Sequence, residues 1–175
     1  MLKTITVCSA LLISCASWAA DATPAAPVRT VAEVDLNRYL GQWYEIAKFP
    51  MYFQRNCVAD TTANYSKNPD GSIKVVNRCR KESGEYQQAE GKATAVDNTQ
   101  NSQLKVSFFW PFKSDYWIIG LDTDYQWAVV GNPERKYLWI LSRTPKLSEP
   151  ALQAAQKAAI DQGYDLRQLD YTRQQ

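Results

Sequence analysis

Between residues 43 and 143 the chain runs in short segments that alternate apolar and polar positions, the period-two pattern of strands with one buried face. The segments fall at 43–49, 58–67, 72–80, 86–96, 102–110, 115–122, 125–131 and 137–143. Turn-forming residues separate them, among them Pro69-Asp70-Gly71, Asp97-Asn98, Asp122-Thr123-Asp124 and Gly131-Asn132-Pro133. No helical period interrupts the series, which excludes parallel βαβ units. Eight strands in sequence order predict an all-β fold, an eight-stranded antiparallel up-and-down barrel that leaves no exposed edge. A β-sandwich is the rival arrangement.

A helical period follows the strands. Ser148 predicts an N-cap, Glu149 and Pro150 fall in the first turn, and Gly163 follows the last. Leu152, Ala155, Ala159 and Ile160 share one narrow face, so this C-terminal helix is expected to lie flat on the outside of the barrel. Leu166 to Tyr171 is expected to add a last short strand.

The other end of the chain changes the compartment. Lys3, the apolar run from Ile5 to Ile13 and the small residues after it form a secretory signal peptide over 1–19, too short to span a membrane. Residues 20–32, rich in Ala, Pro and Thr, read as a linker, and 33–175 as the barrel domain. Two processing routes remain open. Ser17-Trp18-Ala19 suits cleavage after Ala19 or Ala20, whereas Leu12-Ile13-Ser14-Cys15 resembles a bacterial lipobox in which Cys15 is lipidated. Cys57 and Cys79 remain in the exported chain and flank the hairpin that turns at Asn68-Pro69-Asp70-Gly71. A disulfide between them is expected, with a buried free pair as the alternative.

Composition narrows the chemistry. A chain of 175 residues that is 45% hydrophobic supports one globular domain. A formal charge of +2 offers no broad field for nucleic acid. Histidine is absent, which removes the commonest general base and metal ligand, so no metal or cofactor is expected. Six Trp, ten Tyr and five Phe lean toward binding rather than catalysis.

Three separated pieces then resemble the lipocalin family over about residues 33–172. They are Gly41-x-Trp43 with Tyr44, Thr123-Asp124-Tyr125 at a tight turn, and Arg143 in Leu141-Ser142-Arg143-Thr144-Pro145. Phe108-Phe109-Trp110-Pro111-Phe112 and Tyr137 through Pro145 make the chain most similar to bacterial lipocalins and apolipoprotein D. In a meander of eight strands all three motifs fall at one end. There Trp43 plugs the barrel and Arg143 stacks on its indole, a closure built from Gly41, Trp43, Thr123, Asp124, Tyr125 and Arg143. The opposite end is expected to be open, with Phe49, Met51, Tyr52, Phe53, Trp110, Pro111 and Phe112 exposed on its loops.

Alternation and the family registers give the inward face. It comprises Ala63 and Tyr65; Val75 and Asn77; Ala89, Gly91 and Ala93; Val106 and Phe108; Ala128 and Val130; and Tyr137, Trp139 and Leu141. The sixth strand presents either Tyr116 with Ile118, the pair carried in the pocket set, or Trp117 with Ile119. The small residues 89, 91 and 93 are expected to leave a void for one apolar ligand. The resemblance implies a fatty acid or lysophospholipid, bound for storage or transport in the periplasm or at the outer membrane of a bacterial envelope. Partners would be that lipid and, at the barrel mouth, a membrane or a second copy of the chain in a homodimer. The alternatives are a lipocalin-fold enzyme acting on a bound hydrophobic ligand, for which Glu45, Asp60 and Glu90 show no partner triad, and an interaction module whose barrel is filled.

Overall fold

The structure, a computed structural model, describes residues 26–175; the leader, Cys15 and its processing sites lie outside the described residues. Eight strands follow one another as a meander: β1 (Gly41–Lys48), β2 (Ala59–Lys67), β3 (Ile73–Arg80), β4 (Tyr86–Ala95), β5 (Gln103–Phe109), β6 (Phe112–Leu121), β7 (Trp127–Gly131) and β8 (Leu138–Ser142). Each pairs antiparallel with its neighbour, and β1 pairs with both β8 and β2, which closes the barrel. A sandwich is thereby excluded. One helical turn, α1 (Leu36–Tyr39), precedes β1 and was not legible in the apolar pattern, being only four residues long.

Closure between β1 and β2 is incomplete on its own. Their pairing covers Gly41 to Tyr44 and stops. Above it a two-residue strand, β9 (Asp170–Tyr171), pairs with Ala47 and Lys48. Thr172 N–H then donates to Ile46 O at 3.0 Å, and Asp60 N–H to Arg173 O at 2.8 Å. The Gln174 amide donates to Glu45 O at 2.7 Å and Thr61 O at 2.9 Å. The C-terminal tail thus fills the gap where β1 and β2 diverge.

Helix α2 (Glu149–Asp161) packs outside the barrel on β6 and β7. Ala155 and Ala159 are buried beneath it, but Ile160, expected on the same face, is exposed. Small alanines bring the helix so close that the adjoining position points past the sheet. Ser148 caps the helix with backbone geometry alone, its side chain making no capping bond. Tyr164, just past the helix, tucks under the barrel edge: its hydroxyl accepts from Asn132 N–H and donates to Asn132 O, both at 2.9 Å. A Cβ on Gly131 would fall on that hydroxyl. Gly131→Ala should therefore displace Tyr164 and lower stability by about 1–3 kcal/mol, read as a drop in unfolding midpoint; an unchanged midpoint would show that the ring moves aside freely.

Residues 26–32, expected to be linker, lie on the barrel instead. Val28 is buried in the helix-side cluster, and Val31 N–H donates to Ile118 O at 2.9 Å.

Candidate functional site: a barrel sealed at one end

The sealed end is built on one arginine. The Arg143 guanidinium carbon stands 3.8 Å over the Trp43 ring. Its nitrogens donate to three backbone carbonyls: Gln42 at 2.9 Å, Arg38 at 2.6 Å and Tyr125 at 3.3 Å. One side chain thus joins α1, the start of β1 and the β6–β7 turn. Trp43 is fully buried and donates from its indole to Tyr39 O at 2.8 Å. Gly41 adopts φ +91, a conformation side chains rarely take. Thr123 and Asp124 are exposed in the turn. Thr123 contributes a carbonyl to Arg38 at 3.0 Å, and Arg38 lies 4.1 Å over the Tyr125 ring.

Above the plug the inner faces of the strands meet in one apolar cluster. Ala63, Tyr65, Val75, Ala93, Val106, Ile118, Ala128, Val130 and Leu141 are all buried there, and Tyr116 and Trp139 pack against them. The sixth strand therefore turns Tyr116 and Ile118 inward, while Trp117 and Ile119 face α2. Asn77, opposite both Ala63 and Ala89, has a buried Oδ1 that accepts no hydrogen bond from any described residue.

Three of the inward positions behave differently from the alternation. Ala89 is exposed, because β5 pairs with β4 only over Lys92–Ala95, and from there to the rim β4 keeps β3 as its one strand neighbour. Gly91 leaves no void: a Cβ there would sit 2.8 Å from the ring of Phe108, which occupies the space. Phe108 itself is 37% exposed at the mouth. Tyr137, half-buried, stacks with Trp139 (centroids 6.0 Å apart) and with Phe53 (5.6 Å).

The mouth is aromatic but less so than expected. Phe49 and Met51 are buried, Phe49 against Tyr164 at 5.9 Å. Tyr52, Phe53, Phe109, Trp110 and Phe112 are exposed by 60–89%. The Cys57–Cys79 disulfide ties the end of the β1–β2 loop to β3.

A polar network beneath that loop escaped the sequence reading. Glu45 on β1 is 2% exposed. Its Oε2 accepts from Gln54 of the mouth loop at 2.8 Å, and its Oε1 from Thr172 of the tail at 2.5 Å. The Gln54 carbonyl accepts in turn from the Trp139 indole at 3.0 Å. Burial raises the Glu45 carboxyl above its ordinary value, opposed by the two hydrogen bonds and by Lys48, and reinforced by Asp170. A raised carboxyl holds its proton more tightly folded than unfolded, so stability falls as pH climbs above the ordinary glutamate range. Glu45→Gln should raise the melting temperature at pH 7 and flatten its decline as pH rises above about 4.5. An equal or steeper decline in the variant would contradict this.

The comparisons agree with this geometry. The lipocalin-like domain family matches residues 34–174. The chain is 41% identical over 165 residues to the outer membrane lipoprotein Blc of Escherichia coli (strain K12), covering 94% of this chain and 90% of that one. It is 39% identical over 155 residues to temperature-induced lipocalin-1 of Arabidopsis thaliana, with 84% and 83% covered. Its fold superposes on insecticyanin from the tobacco hornworm Manduca sexta with a TM-score of 0.67 over 83% of each chain, at 20% identity. Closed meander, outer helix and the Trp43–Arg143 seal place the chain in the lipocalin family, to which it belongs.

Proposed function

We propose that the barrel binds a fatty acid or lysophospholipid and stores or carries it at the bacterial cell envelope, in the periplasm or at the outer membrane. The observation that carries this reading is the apolar inner cluster above a sealed floor. An acyl chain moved from water onto such a wall gains about 0.8 kcal/mol per CH₂. Asn77 Oδ1 would accept from the one donor a lipid brings inside, a hydroxyl or a protonated carboxyl. The exposed aromatics of the mouth, with Arg55 and Lys113 among them, suit the headgroup level of an anionic bilayer. The same patch would bury against itself in a homodimer. The envelope location follows the relatives called outer membrane lipoproteins, with Cys15 as the candidate anchor.

Ala93→Trp tests the pocket. Ala93 is fully buried between Ile73 and Val106. An indole there should exclude two or three methylenes and weaken long-chain fatty-acid affinity by about 15- to 60-fold, with circular dichroism unchanged. Equal affinity at matched folding would remove Ala93 from the pocket, and a variant that unfolds would show a packed interior and remove the main support for lipid binding. Flotation with phosphatidylglycerol vesicles separates membrane docking from a dimer, which sedimentation would report.

A further inference from the structure

Three phenols meet on the inner side of the Trp43 plug, and their protons do not balance. Tyr39 comes from α1, Tyr65 from β2 and Tyr116 from β6. The Tyr116 hydroxyl lies 2.8 Å from that of Tyr39 and 2.9 Å from that of Tyr65. Burial pushes all three phenols up, Tyr65 to about 12, so each keeps its proton at any physiological pH. Three O–H donors therefore share two contacts. Whichever way those contacts run, one proton is left over, and no other described residue accepts it. A buried donor without an acceptor is costly, so the arrangement calls for one more oxygen.

We propose that the Tyr39, Tyr65 and Tyr116 hydroxyls form a polar floor that takes an acceptor oxygen at the buried end of the bound lipid. This rests on the reading that the barrel binds lipid, and it adds a direction to it. The oxygen has two possible sources: the carboxyl of a fatty acid that enters head first, or an oxygenated tail on a chain whose head stays at the mouth.

Palmitate carrying carbon-13 at its carboxyl, 16-hydroxypalmitate and the hydrocarbon hexadecane distinguish these cases. Each is titrated against the wild type and against Tyr39→Phe/Tyr65→Phe/Tyr116→Phe, which keeps the rings and removes every donor. At least one oxygenated ligand should lose about tenfold in affinity in the variant, and hexadecane should lose nothing. A palmitate carboxyl that does not titrate between pH 4 and 8 in the complex assigns head-first binding. A carboxyl that titrates normally, with 16-hydroxypalmitate losing the affinity, assigns the tail oxygen. Should the triple variant fail to fold, wild-type protein carrying carbon-13 at the tyrosine Cζ gives the same answer. Resonances of the three phenols should then shift with an oxygenated ligand and stay put with hexadecane. Equal affinities in both proteins, or unmoved tyrosine resonances, overturn the floor while leaving lipid binding intact. Failure of all three ligands to bind overturns both.

Discussion

Arg143→Ala should cost about 3 kcal/mol and lower the melting temperature by about 6–12 °C. The truncation removes the donors of three backbone carbonyls and the cation over Trp43 in one step. Two of those carbonyls, Arg38 and Gln42, flank the start of β1 and the third, Tyr125, lies more than 80 residues away, so the guanidinium alone joins the two regions. Arginine donates in a planar fork and stacks flat, and lysine does neither, so Arg143→Lys should recover little. Fatty-acid affinity should stay within about twofold when both proteins are compared well below their melting points, because the guanidinium lies beneath the plug and outside the apolar cluster. A variant with wild-type stability and altered ligand preference would reverse the assignment, making Arg143 a binding residue rather than a clamp.

Removing the disulfide should have a similar effect by a different route. Cys57 and Cys79 are 22 residues apart in sequence, and a crosslink of that span stabilises by about 3 kcal/mol in the chain-entropy model. The bridge anchors the loop that carries Gln54, Tyr52 and Phe53, and the Gln87 amide lies 3.3 Å from both sulfurs. Cys57→Ser/Cys79→Ser should therefore melt about 6–12 °C lower and exchange the mouth-loop amides faster than those of β6 and β7. If oxidised and reduced protein melt together, packing alone holds the loop.

Strand count, outer helix, disulfide and the sealed end were legible in the sequence because each leaves a local mark: period two, a capped helical face, two cysteines around a turn, a Gly-x-Trp. The inward register of β6 was not, since Tyr116-Trp117-Ile118-Ile119 is apolar on both faces. Its outer pair is apolar because α2 covers it. Gly91 and Phe108 misled for a related reason. A small residue predicts a void only if no side chain on the adjoining strand fills it, and here Phe108 of β5 does. Glu45 reads as a lone carboxylate because its carboxylate partners, Gln54 and Thr172, lie 9 and 127 residues away. Loop position alone puts Phe49 and Met51 at the exposed mouth, yet both are buried. The chain there folds back under Tyr164 and across the rim.

The tail in the β1–β2 gap bears on the order in which the molecule assembles and comes apart. Gln174 reaches Glu45 across 129 residues of chain and Thr61 across 113. Contacts of such separation carry the largest loop-closure entropy, so they form after the hairpins and report the last step of folding. By the same reasoning they release first. Native-state hydrogen exchange should find the amides of residues 171–175 and the upper half of β1 opening together, well below the free energy of global unfolding. Each such opening would part the barrel wall along one vertical line, beside Glu45 and the mouth loop, while the Trp43 seal stays shut.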